Sequence, residues 1–373
     1  MNIPLLDLKS EFDEISEEVL SGWEYVLRTM KLLKGDNLKA FEKEIAEYIG
    51  TKYAVGVASG TDALALSLRA NSIGKGDEVI LQANAFAADV EAIRMAGAVP
   101  VLVDILTADY GPDPVKVKRA ITPRTRAILV VHMYGIPVDL APLMAITKSG
   151  GWGIDLIEDC SHAHGAEWGG RKVGSWGTVG CFSCGPVKNL GAYGDAGFVT
   201  TDNKDIAERI RMLQAHGQEK KNVHRMYGTN SRLDELQAVV LRAKLKHLDR
   251  RNSLRAENAH YYTREINTRL IPVRFMSYFH DRVQAYHQYV IRVSRKNRDK
   301  LVGYLKEHGI GTGIHYPVPL HKQPIWITHV GYIPNLPIAA LVADQILSLP
   351  VYPGLTTEQL DYVIQTIADF FGA

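Results

Sequence analysis

Short apolar segments alternate with longer helical patterns between about residues 50 and 200. They are rich in β-branched residues and read YAVGVA (53–58), DEVILQA (77–83), VPVLVDI (99–105), RAILVVHMYG (126–135) and GIDLIEDC (153–160). Strands of a parallel sheet are buried on both faces, so they appear in a sequence as continuous apolar runs. The alternation therefore predicts βα units around a mainly parallel sheet, whose ligands gather at the carboxyl ends of the strands.

The C-terminal part of the chain has a different pattern. Residues 232–266 have apolar side chains near helical spacing and no proline, which predicts one long helix linking two domains. A strand at 285–293, the helix RDKLVGYLKEHG, a strand at 311–316 and a closing helix TTEQLDYVIQTIADFF follow, and they predict a smaller α+β domain. Because 373 residues usually divide into two domains, we expect a large domain at 1–248 and a small one at 249–373.

Composition and charge exclude several kinds of partner. The chain is 46% hydrophobic and 23% charged, as expected for a globular protein. No apolar run approaches the roughly 20 residues of a membrane-spanning helix, and the N-terminus, MNIPLLDLKSEFDEI, has acidic residues where a signal peptide is apolar. A formal net charge of +2 gives no general attraction to nucleic acid or anionic lipid. We expect a cytoplasmic protein with no nucleic-acid and no membrane partner.

The three cysteines are Cys160, Cys181 and Cys184. This sparse, odd number fits a reducing compartment and gives no disulfide framework. Cys181 and Cys184 form a C-x-x-C, but the sequence has no second pair to complete a zinc site. We expect this pair to be structural.

Lys188 lies in CFSCGPVKNLGAYGDAG, between a strand-like run and a segment that contains Gly191, Gly194 and Gly197. A surface lysine is the alternative interpretation, but few surface lysines lie among so many small and apolar residues. Burial lowers the pKa of an amine and makes it a nucleophile that can form a Schiff base. Lys188 is therefore a candidate catalytic residue.

Asp159 ends the predicted strand GIDLI, at the edge of the sheet where ligands bind. A carboxylate in this place can hold the proton on a pyridine nitrogen, the state in which a pyridoxal ring withdraws electrons well. The alternative is an aspartate that caps the following turn, a common role at the end of a strand.

The same segment allows a metal-dependent hydrolase as a rival interpretation. His162 and His164 form an H-x-H whose side chains would share one face of a strand, with Glu158 and Asp159 nearby. Such pairs are weak signals, and the sequence has no further His/Asp cluster. We expect no metal.

A phosphate site is predicted in ASGTDALALSL, a turn that opens a helix after the first strand. Backbone N–H groups at a helix N-terminus bind phosphate, Gly60 allows close approach and Thr61 adds a hydroxyl. An ordinary helix cap without a ligand is the alternative. An aldehyde for Lys188, a ring nitrogen for Asp159 and a phosphate for this helix are all found in pyridoxal phosphate.

With these motifs in this order, the sequence resembles the sugar aminotransferases of the DegT/DnrJ/EryC1/StrS family. The resemblance extends from IPLLDL (3–8) through SGTDAL, VHMYG, EDCSHAHGA, KNLGAYGDAG, NSRLDELQA and HYPVPLH to LPVYPGL (349–355). It implies the α/β type I fold of pyridoxal-phosphate-dependent transferases, in which the large domain has a mainly parallel seven-stranded sheet and the C-terminal domain is α+β. It also implies pyridoxal 5′-phosphate as the cofactor, with pyridoxamine phosphate as the intermediate form.

The resemblance implies a role for each site residue. Lys188 and Asp159 are the catalytic residues, since Lys188 carries the cofactor and Asp159 pairs with its ring nitrogen. Phe86 stacks on the ring, where it would otherwise be a core residue, and His162 occupies a position at which the family commonly has glutamine. The complete cofactor-binding set is Gly60, Thr61, Phe86, Asp159, His162, Ser183, Lys188 and Asn230.

Two further sets of contacts are implied. Asn230, in GTNSRLDE, is expected to reach the cofactor phosphate of the neighbouring subunit, which makes the protein a homodimer with shared active sites. His315 and Tyr316, in HYPVPLH, are expected to face the substrate, with a packed strand-to-loop turn as the alternative.

Within the family, KKNVH (220–224) with NSRLDELQA and AKLKHLD is most similar to enzymes that aminate C-3 of nucleotide-linked keto-deoxysugars. Glutamate is the expected amino donor. The alternatives are an aminotransferase for another keto-sugar or cyclitol, such as a C-4 keto-sugar or inosose, and a non-catalytic regulatory protein that binds pyridoxal phosphate.

Overall fold

A seven-stranded sheet lies at the centre of the larger part of the molecule, with the strand order β1-β9-β8-β5-β4-β2-β3. The computed structural model describes residues 1–151, 153–330 and 333–373. The strands in these residues, in chain order, are β1 Tyr53–Val57, β2 Glu78–Gln82, β3 Val99–Val103, β4 Thr125–Val131, β5 Asp155–Asp159, β6 Glu167–Trp168, β7 Arg171–Lys172, β8 Val179–Ser183, β9 Gly197–Thr201, β10 Gln218–Lys220, β11 Val223–His224, β12 Arg274–Phe275, β13 Arg282–Val283, β14 Tyr289–Arg292 and β15 Ile346–Leu349.

The central sheet is parallel except around β9. Strand β9 pairs antiparallel with both β1 and β8, whereas β3, β2, β4, β5 and β8 form an unbroken parallel series. The prediction of a mainly parallel seven-stranded sheet is confirmed, and each of the five apolar segments contributes a strand. The predicted strand at 126–135 ends early because Met133–Gly135 forms a 3₁₀ turn in which Tyr134 has φ +61°.

Helices cover both faces of this sheet. The helices of the described residues, including those of the C-terminal part, are α1 Lys9–Thr29, α2 Asp36–Ile49, α3 Gly60–Ala70, α4 Ala87–Met95, α5 Pro114–Ala120, α6 Ala141–Lys148, α7 Lys204–Leu213, α8 Glu235–Leu245, α9 Leu248–Thr268, α10 Arg295–Glu307, α11 Pro324–Val330, α12 Pro337–Ala343 and α13 Thr357–Phe371. On β4, Leu129 and Val131 pack into one hydrophobic cluster with α3 and α7, and Ile128 and Val130 pack into another on the opposite face. Burial on both faces explains the continuous apolar run of this strand. No helix in the described residues combines the length and apolar character needed to cross a bilayer.

A second hydrophobic core lies in the C-terminal part of the chain. The antiparallel sheet β12-β14-β15 contributes Tyr289 and Ile291, and residues of α9, α10 and α13 pack around them. Ile3, from the N-terminal segment, also belongs to this core and forms a bridge with Ile310. The division of the chain at residues 248 and 249 stays a prediction.

Two predicted elements are wrong. The single helix over 232–266 is broken after Leu245, because α8 packs against α1 and α2 whereas α9 turns to pack against α13. Within the described residues, the predicted strand over 311–316 forms only one bridge, between Gly313 and Ser348.

Candidate active site

A cavity of ≈ 190 Å³ lies at the carboxyl ends of the central strands. The segments that follow β1, β4, β5 and β8 form much of its wall, because parallel strands bring their carboxyl ends to one edge of a sheet. Eight residues singled out in the sequence line it: Gly60, Thr61, Phe86, Asp159, His162, Ser183, Lys188 and Tyr316. The fold thus brings together residues that are up to 256 positions apart, from Gly60 to Tyr316.

Lys188 enters this cavity from the loop between β8 and β9. Its backbone N–H donates to the carbonyl of Gly185 (2.9 Å), and the turn brings Gly191 so close that a Cβ there would lie 2.5 Å from the Pro186 carbonyl oxygen. Burial lowers the pKa of the Lys188 amine, and the negative charges of Asp159 and Asp89 act in the opposite direction. A lowered pKa increases the fraction of neutral, nucleophilic amine at neutral pH.

Asp159 is the last residue of β5, as predicted, and its carboxylate accepts a hydrogen bond from the Ser161 N–H (2.9 Å). Asp89, in the first turn of α4, has a fully buried side chain beside it. Neither carboxyl oxygen of Asp89 has a hydrogen-bond partner when both acids are ionised. Burial first, and the charge of Asp159 second, raise the pKa of Asp89 well above its usual range. Both effects favour the protonated form of Asp89, whose O–H can donate to Asp159.

This buried acid predicts an unusual dependence of stability on pH. An acid with a raised native pKa binds a proton that the unfolded chain loses above about pH 4, so its contribution to stability falls as pH rises. Asp89→Asn removes this titration. In the cofactor-free wild-type protein, Asp89 should make the free energy of unfolding decline by up to about 1.4 kcal/mol per pH unit as pH rises. The Asp89→Asn variant should lack this decline.

The measurement is urea unfolding of the cofactor-free protein between pH 5 and pH 8. Asp13→Asn, at an exposed position of α1, is the matched control and should follow the wild-type curve. Parallel curves for wild type and Asp89→Asn would mean that Asp89 is ionised in the folded protein, contrary to the argument above.

The opposite end of the cavity is formed by the N-terminus of α3. Ser59 caps the helix, since its hydroxyl accepts from the Asp62 N–H (3.1 Å). A Cβ on Gly60 would lie 2.4 Å from the Cβ of Ser183, so only glycine lets the helix start this close to the end of β8. Gly60, Thr61 and Ser183 therefore surround one small space with free helix N–H groups, which suits a phosphate.

Aromatic and imidazole rings lie between these two ends. Phe86 is 52% exposed although it is apolar, and its ring is 5.1 Å from that of Tyr316 between centroids. An aromatic face left open at a cavity is suited to stacking on a planar ligand. His162 accepts a hydrogen bond at Nδ1 from the Tyr134 N–H (3.3 Å), and its ring is 4.5 Å from that of His287. Burial lowers the pKa of His162 well below its usual range, so its imidazole is neutral.

The expectation that His162 and His164 share one face of a strand is wrong. Both lie in the turns that follow β5, where the backbone no longer alternates. His164 instead contacts Cys184, with 3.9 Å between Nε2 and Sγ, and burial lowers the pKa of His164 to about 3. The arrangement gives no support to a hydrolase built on this pair.

Another group in the described residues has ligand atoms close enough for a metal: His132, Glu158 and Cys160. Here the Glu158 carboxylate already accepts from the N–H groups of Gly174 (2.9 Å) and Gly177 (2.7 Å) and lies 3.1 Å from His132 Nε2. These contacts satisfy the buried polar atoms and indicate a structural network.

Two of the singled-out residues do not line the cavity in the described chain. His315 lies behind Tyr316, where its Nδ1 is 2.9 Å from the Ser348 hydroxyl and its carbonyl accepts from the Tyr134 hydroxyl (2.6 Å). Asn230 is exposed, and its side-chain oxygen accepts from Arg232 Nε (3.0 Å). The structure also adds lining residues that the sequence analysis did not assign, among them Asp89 and Ser161.

The residues present fit pyridoxal phosphate, and the close approach at Gly60 is the observation that tests the fit. A helix N-terminus for an anion, an open aromatic face, a strand-end carboxylate and an amine with a lowered pKa surround one cavity. On a seven-stranded, mainly parallel sheet, this combination defines the class of pyridoxal-phosphate-dependent aminotransferases.

Comparison with known proteins identifies the family. The profile of the DegT/DnrJ/EryC1/StrS aminotransferase family matches residues 13–368. The chain belongs to this family.

Its relatives include one protein named as regulatory and another named as a sugar transaminase. The pleiotropic regulatory protein of Geobacillus stearothermophilus is 40% identical over 373 residues, covering 100% of this chain and 99% of the relative. The dTDP-3-amino-3,4,6-trideoxy-α-D-glucose transaminase of Streptomyces venezuelae is 40% identical over 368 residues, covering 99% of this chain and 96% of the relative. The crystal structure of S. venezuelae DesV in complex with a ketimine intermediate matches with a TM-score of 0.95 and 40% identity, covering 100% and 99% of the two chains.

The predictions of fold, enzyme class and cofactor are confirmed. The protein is an aminotransferase with the fold of its pyridoxal-phosphate-dependent relatives, and its cofactor is pyridoxal 5′-phosphate, with pyridoxamine phosphate as the aminated form. The roles of the individual site residues stay predictions.

Proposed function

We propose that the protein transfers an amino group from glutamate to C-3 of a nucleotide-linked keto-deoxysugar, with Lys188 as the catalytic base. The observation that supports this most strongly is an amine with a lowered pKa in the same cavity as Asp159 and the N-terminus of α3. A relative that is 40% identical is named as a transaminase for a 3-amino sugar linked to dTDP, which supports the substrate class and the carbon position.

The chain's own residues divide the chemistry among them. Pyridoxal phosphate, when bound, supplies an electron sink for the carbon that exchanges nitrogen. Lys188 Nζ moves a proton to and from that carbon as general base and acid, and Asp159 places a negative charge at the ring nitrogen. The raised pKa of Asp89 favours a proton on its carboxyl group, which lies beside Asp159. The neutral His162 contributes hydrogen bonding without charge. Gly60, Thr61 and Ser183 would hold the phosphate of the cofactor, and Phe86 would lie against its ring.

The substrate is expected to contact Tyr316, whereas His315, predicted as a second contact, lies behind it. The Tyr316 ring lies against Phe86 at the cavity wall, where a sugar bound above the cofactor would reach it. Burial raises the pKa of Tyr316, so its hydroxyl is neutral and can donate a hydrogen bond to a sugar oxygen. His315 acts through its backbone, which accepts from Tyr134 and thereby positions Tyr316.

We further propose a cytoplasmic homodimer with shared active sites. Asn230 is exposed close to the β10-β11 hairpin, and Tyr227, three residues after the end of β11, is 94% exposed. Apolar side chains at the end of α1 and just after it are exposed as well, including Leu27 (49%), Met30 (71%) and Leu32 (45%). Exposed apolar residues grouped in this way are typical of protein interfaces, and a second copy is the partner that would carry Asn230 to the neighbouring phosphate.

A mixing experiment tests the shared site. Lys188→Ala and Asn230→Ala proteins are combined under conditions that exchange subunits, at limiting cofactor. If Asn230 serves the neighbouring chain, each mixed dimer has one doubly defective and one intact site. An equal mixture then has about one quarter of all sites intact, and its activity exceeds that of either parent.

The control is each variant mixed with itself under the same conditions, which should restore nothing. If Asn230 served its own chain, every site would retain one defect and mixing would give no gain. That result would remove the shared site and leave the lysine chemistry unaffected.

The proposed substrate class is tested with a panel of keto-sugars and glutamate, in which release of 2-oxoglutarate is measured. The panel contains C-3 and C-4 keto-sugars linked to dTDP or UDP, and inosose. Preference for a C-3 ketone supports the proposal, and preference for a C-4 ketone or inosose would reassign the substrate. No turnover with any ketone would favour the non-catalytic, cofactor-binding alternative.

A further inference from the structure

A second cavity, also of ≈ 190 Å³, lies on the other side of Lys188 from the one described above. Its wall consists of the N-terminal segment around Asp7 and Glu11, the loop residues 187–189, one face of α9, and Tyr352 with the two residues that follow it. Lys188 lines both cavities. A molecule held in the second cavity therefore lies beside the residue that separates the two cavities.

Most charged groups around this cavity are already paired. Arg251 forms ion pairs with Glu11 and with Glu14 (2.7 Å), and Arg250 also pairs with Glu14. Glu11 contacts Lys244 as well (2.9 Å). The carboxylate of Asp7 accepts from backbone N–H groups at the start of α1. These acidic groups are therefore compensated by their neighbours.

Arg255 differs from the other two arginines of the cavity wall. Its side chain belongs to α9 and the residue is only 8% exposed. Its guanidinium makes one long hydrogen bond, from Nη1 to the Tyr286 carbonyl (3.5 Å), and no carboxylate of the described residues lies within 4.0 Å of it. Burial lowers the pKa of Arg255 to about 10, so the group is still charged at neutral pH.

A buried guanidinium with most of its five N–H donors unused is unfavourable unless a ligand pairs with it. The planar arrangement of these donors matches a carboxylate, which it binds through two parallel hydrogen bonds. A position beside Lys188 suits an amino donor, because the nitrogen of the donor must reach the active site that contains Lys188. The volume suits a ligand of amino-acid size better than a whole nucleotide.

We propose that Arg255 binds a carboxylate group of the amino donor, an acidic amino acid of the glutamate class, in this second cavity. The inference rests on the proposed function, since it names the residue that recognises the donor. A phosphate of the nucleotide-linked sugar is the other anion that an arginine would accept, and the two half-reactions separate these sources.

The experiment compares holoenzymes with Arg255→Gln, Arg255→Lys and Arg264→Gln. Arg264 is exposed on the same helix and serves as the matched control. Conversion of the bound cofactor is followed by absorbance, first with increasing glutamate and then, in the opposite direction, with increasing keto-sugar. Inhibition by glutarate, a dicarboxylate without an amine, reports binding without chemistry.

Arg255→Gln is expected to raise the half-saturating glutamate concentration and the glutarate inhibition constant by about 10- to 100-fold, the loss typical of charged hydrogen bonds. Arg255→Lys should recover part of this loss. Arg264→Gln should leave the half-saturating glutamate concentration within about twofold of wild type, and Arg255→Gln should leave the half-saturating keto-sugar concentration within about twofold.

Three outcomes would overturn the inference. A selective loss of affinity for the keto-sugar would assign Arg255 to the nucleotide phosphate. An equal loss for both substrates, with a lower unfolding temperature for both Arg255 variants, would make Arg255 a structural support for the Tyr286 carbonyl. Unchanged glutamate and glutarate binding would leave the cavity without this role. If wild-type cofactor does not react with glutamate at all, the proposed function fails, which is a different result from any of these.

Discussion

Lys188→Ala is expected to lower the transamination rate by about 10²–10⁴-fold through loss of the general base alone. The variant also lacks the amine that bonds to the cofactor, so the visible absorbance of the protein-bound cofactor should change. The reason is the place of this amine, partly buried in a loop beside Asp159 and with a lowered pKa. Stopped-flow conversion of the bound cofactor with glutamate measures the effect.

Lys204→Ala is the matched control, because Lys204 is an exposed lysine at the start of α7 whose partner is Glu208. It should retain wild-type rate and absorbance. Normal turnover by the Lys188→Ala protein would show that another group moves the proton, and the mechanism would have to be abandoned.

Asp159→Asn is expected to slow both half-reactions by about 10- to 1000-fold while the fold and some cofactor binding persist. A nearby carboxylate shifts the pKa of a protonated group by roughly 1–3 units, and a neutral amide no longer holds the proton on the ring nitrogen. Half-reaction rates with glutamate and with keto-sugar provide the measurement.

Asp155→Asn gives a control on the same strand. Asp155 is at the other end of β5, where its carboxylate accepts from the Thr178 hydroxyl (2.8 Å), far from the cavity lining. This variant should keep wild-type half-reaction rates. Rates for Asp159→Asn that match those of the control would reassign Asp159 to capping the turn at Ser161.

The sequence contains enough information for the central sheet and for the residues at its carboxyl edge. Apolar runs buried on both faces predict β1 to β5; Asp159 ends β5, and Gly60 begins the helix that follows β1. Because the carboxyl ends of parallel strands lie at one edge of a sheet, both residues are expected at that edge. Eight of the ten singled-out residues line the cavity, seven of them at or after the ends of central strands and Tyr316 from the C-terminal part of the chain.

Other features depend on contacts that no local pattern contains. Asp89 reads as an ordinary acidic residue in the first turn of α4, and only the tertiary fold places it beside Asp159. Arg255 is one of several arginines on α9. Among the described residues it has no carboxylate partner, because Glu11 and Glu14 pair with Arg251 instead. The break between α8 and α9 likewise follows from packing against different helices.

Asn230 shows a different limit, since its expected role concerns a second chain. Within one chain it is exposed and pairs with Arg232, which gives no sign of a cofactor contact. The family resemblance supplied this residue, and the mixing experiment described above is the test of it.

The most direct test of the central claim follows the nitrogen atom itself. The holoenzyme is incubated with ¹⁵N-glutamate and a dTDP-linked 3-keto-deoxysugar, and the products are examined by nuclear magnetic resonance and mass spectrometry. We expect ¹⁵N bonded to C-3 of the sugar, with one molecule of 2-oxoglutarate formed for each amino sugar. Label that stays in glutamate while the cofactor remains bound and the keto-sugar is unchanged would contradict the proposed transamination.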